Sequence, residues 1–506
     1  MKIISSALIV LLNVHIQTSL AVFIPRTLER EAPDPIKPAS KERKAQWFDQ
    51  KLDHFDKSNT KTWKQRYYYN ADWFLAQNGT DSGGDQLPLF IKIGGEAGIQ
   101  GGWVNGGFWV SFGIDYRALF IYVEHRFYGE SHPTNDMSDK NLKYLSSRQA
   151  LADLDYFIDG MMKKFGMTDK SKVVVFGGSY SGALSAWVRL KYSNKVFIAH
   201  ASSAPVEAIV DFTGYNKVSY KSLAAWDPQC AKTVQSVAKK EEQMMKTNEG
   251  LANLRKIFGT CVKLTTDNPL DVQSFAQFQV AVIGNIIQYN GTGNAQNIPD
   301  ICNAVSGAAD DDDAMQKFAD FLKATVRAKY NSTCTGSRFS ANVATLKNTT
   351  FGKEGSRQWT WQTCSEFGYF QSASDEDNLF ANILPVSFYE EECKGVFGDK
   401  FTPEYIQQKV GETNKYYGGK DYKQSQTMFT QGSVDQWQDR GITESNEQQG
   451  YKAVYIDNAS HCQDESQDSA NDSPGLTAAR KEMREILKGW MTSWNFKELL
   501  EQQQNQ

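Results

Sequence analysis

Residues 173–182 read Val173-Val174-Val175-Phe176-Gly177-Gly178-Ser179-Tyr180-Ser181-Gly182. The apolar run at the start of this stretch is suited to a buried central strand, and residues 183–191 continue with helical character. Small residues on both sides of Ser179 allow the strand and the helix to approach closely and leave the serine exposed on a strained backbone. The pattern predicts a nucleophile elbow with Ser179 at its apex.

The match to the elbow pattern is incomplete. Gly177 stands two residues before the serine as the pattern requires, but Ser181 occupies the position of the second glycine. A serine in a glycine-rich turn between a strand and a helix can also act only as the cap of that helix. The local sequence leaves both interpretations open.

A base for this serine is found by elimination, because the chain has only six histidines: His15, His54, His125, His132, His200 and His461. In α/β-hydrolases the nucleophile, the acid and the base follow one another in the chain, which leaves His200 and His461. His200 lies within the apolar run 196–201 and is expected to be a satisfied interior residue. His461 follows the predicted strand 451–456 in a loop, where this architecture keeps its chemistry. We therefore predict His461 as the base.

The acid is predicted one strand earlier. Residues 426–430 read as a strand that runs into the turn 431–437, which presents Asp435 at the same edge of the sheet. Asp435 would hold the imidazole of His461 in the required tautomer and stabilise its charged form. Taken alone, Asp435 is equally well explained as a turn-forming aspartate.

Several segments together resemble one enzyme family, that of lysosomal Pro-X carboxypeptidase, dipeptidyl peptidase II and thymus-specific serine protease. The resemblance runs from about residue 47 to about 495 and is carried by QKLDHF (50–55), QRY (65–67), GGE (94–96), EHRFYGES (124–131), ALADL (150–154) and GGSYSG (177–182). The stretch 145–148 and the Ser181 variant resemble the thymus-specific branch more closely.

The resemblance implies an α/β-hydrolase core with an inserted, disulfide-containing helical cap. By position, the nucleophile, acid and base of the family fall on Ser179, Asp435 and His461. The expected oxyanion hole comprises the N–H of Tyr180 and one N–H from the Gly95-Glu96 turn. The acid turn departs from the family pattern, because Gln431 and Gln436 replace the usual Asn and Pro.

The distribution of helical and strand patterns along the chain predicts how these parts are arranged. Residues 206–400 are rich in amphipathic helical spacing, for example at 231–258 and 314–330, and poor in strands. The four aspartates at 310–313 resemble a metal site but are better explained as an acidic helix N-terminus. The predicted organisation is a signal peptide (1–21), an exposed arm or propeptide (22–46), the first part of the core (47–205), the cap (206–400), the second part of the core (401–495) and a polar tail (496–506).

Composition and cysteine usage favour the secretory route. The apolar start of the chain with Ser19-Leu20-Ala21 is typical of a signal peptide, and no later run is long enough to span a bilayer. A pI near 6.0 argues against nucleic acid as a main partner. Seven cysteines suit an oxidising compartment, and we expect a secreted or lysosomal protein.

The odd cysteine count leaves one thiol unpaired. Cys462 is the candidate, since it stands apart from the six cysteines that lie between 230 and 393, and we expect it to be a small buried thiol. The spacing alone does not decide the pairing of the others. The family resemblance implies the pairs Cys230–Cys302, Cys261–Cys334 and Cys364–Cys393.

Two charged segments near the predicted site have more than one explanation. Glu124, His125 and Arg126 follow a predicted strand and either bind substrate or brace the core by ion pairing, which we favour. The loop after His461 carries Asp464, Glu465, Asp468 and Asp472. These carboxylates would suit recognition of an α-amino group, but a solvated surface loop explains them better.

The activity expected from these residues and from the resemblance is that of a serine exopeptidase acting on peptides, with a preference for Pro next to the cleaved bond. The dipeptidyl-peptidase and carboxypeptidase types both stay open, as does homodimerisation. A carboxylesterase or lipase would use the same three residues, and a non-catalytic binding protein would use none of them. No metal ion or organic cofactor is implied.

Glycosylation sequons begin at six asparagines, namely Asn78, Asn290, Asn331, Asn348, Asn458 and Asn471. We expect modification of all but Asn458, which stands three residues before the predicted base. Asn458 should be unmodified, or its glycan should point away from the cleft. Glycopeptide mapping tests this, and full occupancy together with a rise in activity after glycan removal would contradict it.

Overall fold

The computed structural model describes residues 35–36, 43–74, 87–293, 296–336, 338–352 and 355–494. The predicted signal peptide, Asn78, the predicted polar tail and most of the predicted N-terminal arm lie outside these residues. The described strands are β1 (Gln46–Lys51), β2 (Thr62–Asn70), β3 (Leu89–Ile93), β4 (Leu119–Val123), β5 (Val173–Gly178), β6 (Val196–Ser202), β7 (Ile209–Asp211), β8 (Gly368–Phe370), β9 (Thr427–Gly432) and β10 (Lys452–Ile456).

Eight of these strands form one mixed sheet in the order β1-β2-β4-β3-β5-β6-β9-β10. The six strands from β4 to β10 in this order run parallel, and β2 joins them antiparallel, with β1 antiparallel to β2. Strand β3 is buried along its whole length, as expected of a parallel strand covered on both faces. The carboxyl ends of β5, β9 and β10 therefore meet at one edge of the sheet.

The described α-helices fall into two groups along the chain. Those associated with the large sheet or its connections are α1 (Phe108–Gly113), α2 (Asp139–Leu142), α3 (Ser147–Lys164), α4 (Tyr180–Lys191), α14 (Pro403–Tyr417) and α15 (Pro474–Thr492). Those within residues 206–400 are α5 (Thr213–Trp226), α6 (Pro228–Met244), α7 (Asn248–Phe258), α8 (Pro269–Gln288), α9 (Ile298–Val305), α10 (Asp311–Tyr330), α11 (Phe339–Leu346), α12 (Ser356–Gln362) and α13 (Ser387–Phe397).

The sheet is covered on both faces, which makes the architecture an α/β-hydrolase core. Helices α3 and α4 pack with Leu89, Ile91 and Ile93 on one face. Helices α1 and α15 pack with Phe90 on the other face. The alternation of these side chains along β3 follows from the two-residue period of a strand.

Residues 206–400 build the inserted helical cap around an apolar cluster that also takes in Phe127, Tyr128 and Met137 from the segment after β4. Within this segment, β7 and β8 pair in a separate two-stranded sheet. The cap contains the disulfides Cys230–Cys302, Cys261–Cys334 and Cys364–Cys393, the same pairs that the family resemblance implies. Cys462 is a buried thiol that forms no disulfide with the other described cysteines.

Two local expectations for the cap have clear outcomes. The single helical stretch expected at 231–258 is wrong in one respect, because α6 ends at Met244 and α7 begins at Asn248, where the side chain of Thr247 accepts the N–H of Gly250 as an N-cap. The acidic run at 310–313 forms the start of α10, with Asp310 as the N-cap that accepts the N–H of Asp313. In the described part of the chain, no helix has the length and apolar character needed to cross a membrane.

The buried carboxyl group of Glu241 makes the stability of the cap sensitive to pH. Glu241 of α6 is buried and accepts one hydrogen bond, 2.7 Å, from the amide of Gln279 on α8. Its Oε1 has no hydrogen-bond partner. Burial raises the pKa of Glu241 to about 8, against a weaker opposing effect of the Gln279 hydrogen bond.

The substitution Glu241→Gln should stabilise the protein near neutral pH. The folded chain keeps the carboxyl proton up to about pH 8, whereas the unfolded chain releases it near pH 4.5, so the contribution of Glu241 to stability falls as pH rises between these values. At pH 7 we expect the variant to gain about 2–3 kcal/mol in free energy of unfolding, and at pH 4 close to none. Denaturant unfolding of the oxidised protein at both pH values measures this.

The neighbouring Glu242→Gln serves as the control, because Glu242 is only partly buried and pairs with Lys246. Its free energy of unfolding should change by less than about 0.5 kcal/mol at either pH. A loss of stability in Glu241→Gln at pH 7 would contradict the prediction.

Candidate active site

Ser179 occupies the junction between β5 and α4, at the carboxyl edge of the sheet. Its backbone φ of 62° lies in the left-handed region, which is costly for a residue with a side chain. The junction is tight, because a Cβ on Gly177 would stand 2.1 Å from the carbonyl oxygen of Ser181. A Cβ on Gly182 would stand 2.5 Å from the carbonyl oxygen of Ser202. Both glycines are therefore required for the close approach of strand and helix.

The side chain of Ser179 does not cap α4, so the alternative explanation of this serine as a simple helix cap is wrong. Ser181, and not Ser179, stabilises the turn between the strand and the helix. Its hydroxyl accepts the N–H of Gly178 at 3.1 Å and donates to the carbonyl of the same residue at 2.8 Å. The residue that departs from the usual elbow pattern thus stabilises the turn, and the hydroxyl of Ser179 faces a cavity.

Asp435 and His461 lie in hydrogen-bond contact at the ends of β9 and β10. The Nδ1 atom of His461 is 2.9 Å from Oδ1 of Asp435, and both side chains are buried. The same carboxylate oxygen accepts the N–H of Trp437 at 2.9 Å, which fixes the turn after β9. The replacement at Gln436 does not disrupt this turn, because its amide donates to the carbonyl of Gly284 in the cap at 3.0 Å.

The C-terminal end of α8 holds the loop that carries His461. The N–H of His461 donates to the carbonyl of Gln288 at 3.0 Å, and the indole N–H of Trp437 donates to the side-chain oxygen of Gln288 at 2.9 Å. The ring of Tyr289 packs edge-on against the imidazole, with 6.0 Å between centroids. Sequence reasoning missed this contribution of the cap, because nothing in the local pattern of α8 predicts which loop its end meets.

The cavity that contains Ser179 is also lined by residues that contact His461. Gln288, Tyr289 and Trp437, which all contact His461, line the same cavity as Ser179. Among the hydrogen bonds of the described residues, none involves the hydroxyl of Ser179.

The charge of Asp435 controls the protonation of His461. Burial by itself lowers the pKa of the imidazole, but the adjacent carboxylate outweighs it and raises the pKa of His461 well above 6.5.

The acidic loop after His461 is not a solvated surface loop, and that expectation is wrong for its first half. Asp464 is buried and accepts hydrogen bonds from Ser202 at 2.6 Å and Thr430 at 2.7 Å. It also pairs with His200, which is a satisfied interior residue as expected. Although burial raises the pKa of Asp464, these partners lower it well below its usual range.

The remaining carboxylates of this loop are also paired. Glu465 forms a buried ion pair with Lys92 of β3, and Asp472 and Asp468 pair with Arg480 and Arg484 of α15. The acidic residues therefore tie the His461 loop to the sheet and to α15. They give no support to recognition of an α-amino group.

The charged segment after β4 braces the core, as favoured from the sequence. Glu124 pairs with Arg66, and Arg126 forms a bidentate pair with Asp153 at 2.6 Å through each of two nitrogens. Ile99 and Ser131 add hydrogen bonds to the carboxylate of Glu124, so that its buried charge is satisfied. These contacts hold the loop that follows β3 next to the elbow.

The residues predicted to form the oxyanion hole lie at Ser179. Tyr180 is the first residue of α4, so its N–H has no partner within the helix. Gly95 and Glu96 line a cavity together with Ser179, and a Cβ on Gly95 would stand 3.5 Å from the Cβ of Ser181. The arrangement can place two N–H donors near a carbonyl oxygen attacked by Ser179.

Two cavities meet at Ser179 and share Glu96 and Tyr289. The first lies under the cap and is lined by aromatic side chains and carboxamides, which include Tyr180, Tyr215, Gln277, Asn285, Gln288, Trp359, Tyr369, Gln371, Tyr389 and Trp437. The second lies against the core and is lined by the Lys92–Glu465 pair, Trp103 and Gln100. Ser179 therefore lies where the two cavities meet, with open space on either side of it.

Comparison with known protein families gives one match that covers most of the chain. The model of the serine carboxypeptidase S28 family matches residues 50–483. The chain therefore belongs to the serine carboxypeptidase S28 family and is a serine peptidase.

Individual relatives extend over most of the chain. Thymus-specific serine protease is 32% identical in Mus musculus and 30% identical in Homo sapiens, covering 88% of this chain and 87% of each relative. Lysosomal Pro-X carboxypeptidase of Homo sapiens is 26% identical, over 91% of this chain and 90% of that protein.

The Asp435–His461 contact predicts a specific pH dependence. Only the neutral imidazole can accept a proton, so kcat/KM should rise with pH through an apparent pKa above 6.5. In Asp435→Asn, kcat should fall about 10⁴-fold, and the rising limb should move to lower pH because the charge that raises the pKa is gone. Hydrolysis rates between pH 4 and 9, corrected for the fraction of active enzyme, measure both effects.

Asp439→Asn is the matched control, since Asp439 lies on the same 3-10 helical turn (Gln436–Arg440) but pairs with Arg440 instead of His461. Its pH profile should superimpose on that of the unaltered enzyme. An unchanged rising limb in Asp435→Asn would refute the assignment of Asp435.

Proposed function

We propose that this protein is a serine exopeptidase that cleaves peptides near a chain end through an acyl-enzyme, with Ser179, Asp435 and His461 as its catalytic residues. The observation that carries the proposal is the position of the cap over the nucleophile. Helices α8 and α12 contribute Gln288 and Trp359 to the cavity that contains Ser179. A roofed cavity of this kind admits a chain end more readily than the middle of a folded chain.

The proposed reaction begins when His461 takes the hydroxyl proton of Ser179. The oxygen of Ser179 then attacks the scissile carbonyl, and the N–H groups of Tyr180 and of the Gly95-Glu96 turn stabilise the negative charge that develops on the carbonyl oxygen. The C–N bond breaks as His461 gives its proton to the leaving amine. Water, activated by the same imidazole, hydrolyses the acyl-enzyme and regenerates the hydroxyl.

A preference for Pro next to the cleaved bond is supported by the aromatic walls of the cavity under the cap. Trp359, Tyr369 and Trp437 offer flat apolar surfaces to a compact ring, and proline rings pack well on such surfaces. A relative at 26% identity bears the name Pro-X carboxypeptidase, which agrees with this preference.

The proposal includes recognition of either the amino end or the carboxyl end of a peptide. The acidic loop, which from sequence favoured the amino end slightly, is engaged in ion pairs with Lys92, Arg480 and Arg484. The dipeptidyl-peptidase and carboxypeptidase types are therefore both retained in the proposal. The three disulfides and the sequons support a secreted or lysosomal location.

Digestion of a peptide library tests the proposed function. At pH 4.5 and pH 7, mass spectrometry should find cleavage one or two residues from one chain end, enriched for Pro at the cleaved bond. Ser179→Ala should lower the rate by about 10⁶-fold, to the level of residual binding effects. Simple esters and C-terminal or N-terminal blocked peptides belong in the same experiment.

The outcomes separate the alternatives. Cleavage abolished by an N-terminal block indicates the dipeptidyl type, and cleavage abolished by a C-terminal amide indicates the carboxypeptidase type. Internal cleavage of long peptides, or turnover of esters without peptides, would overturn the proposal.

A further inference from the structure

A continuous chain of hydrogen bonds links the cap to the residue that follows the nucleophile. The hydroxyl of Tyr128 is 2.6 Å from Oε1 of Gln362, and Nε2 of Gln362 is 2.9 Å from the hydroxyl of Tyr180. The same Tyr180 hydroxyl is 3.1 Å from Nε2 of His125, whose Nδ1 is 2.7 Å from the carbonyl oxygen of Arg126. All four side chains are buried.

The donor and the acceptor of each hydrogen bond in this series can be assigned from one fixed acceptor, the carbonyl oxygen of Arg126. A carbonyl oxygen only accepts, so Nδ1 of His125 carries a proton and donates to Arg126. Burial lowers the pKa of His125 to about 4, which makes the imidazole neutral and leaves Nε2 as an acceptor. The Tyr180 hydroxyl must therefore donate to His125.

The remaining two bonds are then determined as well. Because the proton of the Tyr180 hydroxyl is used, its oxygen needs a donor, and only the NH₂ end of the Gln362 amide supplies it. The carbonyl end of that amide then faces Tyr128, whose hydroxyl donates. Burial raises the pKa of both tyrosines well above 10, so each phenol keeps its proton.

Gln362 is the last residue of α12 in the cap, whereas Tyr180 is the first residue of α4 in the core. The ring of Tyr180 packs against Trp359 and Phe367, with centroid distances of 5.6 Å and 5.3 Å, and these two rings also contact each other. The side chain of Tyr180 and the N–H assigned above to the oxyanion hole belong to the same residue, so contacts that restrain the ring also restrain the position of that N–H. A shift of that donor by a fraction of an ångström weakens its bond in the transition state.

We propose that Gln362 is a positioning residue of the reaction. Its hydrogen bond to the Tyr180 hydroxyl holds the backbone N–H of Tyr180 in the position from which it donates to the oxyanion. The inference rests on the proposed function, in which Tyr180 supplies one N–H of the oxyanion hole. A carboxamide is suited to this place because one end accepts from Tyr128 while the other donates to Tyr180. The cap thereby takes part in the chemistry as well as in substrate access.

The test is the rate at which a fluorophosphonate labels Ser179, since attack on phosphorus develops charge on an oxygen that occupies the oxyanion hole. Gln362→Met keeps the size of the side chain and removes both hydrogen bonds, and the second-order labelling rate should fall about tenfold. Peptide turnover should show the loss in kcat, with KM changed by less than about two-fold.

A double-mutant cycle with Tyr180→Phe separates positioning from general loss of structure. Tyr180→Phe keeps the backbone N–H and removes the hydroxyl on which Gln362 acts. In that background, Gln362→Met should change the labelling rate by less than about two-fold. An equal tenfold loss with and without the Tyr180 hydroxyl would overturn the proposal.

Gln358→Met is the matched control, because Gln358 lies one turn earlier on α12, is equally buried and donates to the carbonyl of Phe127 at 3.0 Å without touching Tyr180. Its labelling rate should stay within about two-fold of the unaltered enzyme, even if thermal unfolding shows a comparable loss of stability. Equal loss of labelling in both variants would refute the positioning function. If the unaltered enzyme is not labelled at Ser179 at all, the proposed function fails instead.

Discussion

The tight junction between β5 and α4 is the constraint on which the rest of the structure depends. Ser179 has a left-handed backbone there, although it carries a side chain, and such a conformation persists only where its surroundings hold it. Gly177 and Gly182 admit the close approach, and the hydroxyl of Ser181 closes the turn. The hydroxyl of Ser181 is engaged within the turn, whereas Ser179 lines the cavity under the cap.

The sheet then brings the other parts to this junction. Parallel strands β5, β6, β9 and β10 are neighbours, so the loops after β9 and β10 lie on the same edge as the elbow. Buried charges secure those loops. Asp464 binds side chains from β6 and β9, and Glu465 binds Lys92 from β3, so the segment after His461 is fastened to three strands.

Much of this site could be predicted because its signals are local in sequence. The apolar run before Ser179, the flanking glycines and the order Ser179, Asp435, His461 need no knowledge of distant contacts. What could not be predicted are pairings between remote segments, such as Lys92 with Glu465 or Gln288 with His461. The charges of Asp464 and Glu465 look solvent-exposed in a sequence, because nothing nearby reveals that their partners lie hundreds of residues earlier.

The hydrogen bonds between α8 and the loop that carries His461 have a consequence for how the site forms. The carbonyl of Gln288 holds the backbone of His461, and the carbonyl of Gly284 holds Gln436 beside Asp435. These contacts exist only once the insertion, with its three cross-links, has acquired its native packing. We therefore expect the loops that carry Asp435 and His461 to reach their native geometry only after the insertion has folded, and not with the strands alone.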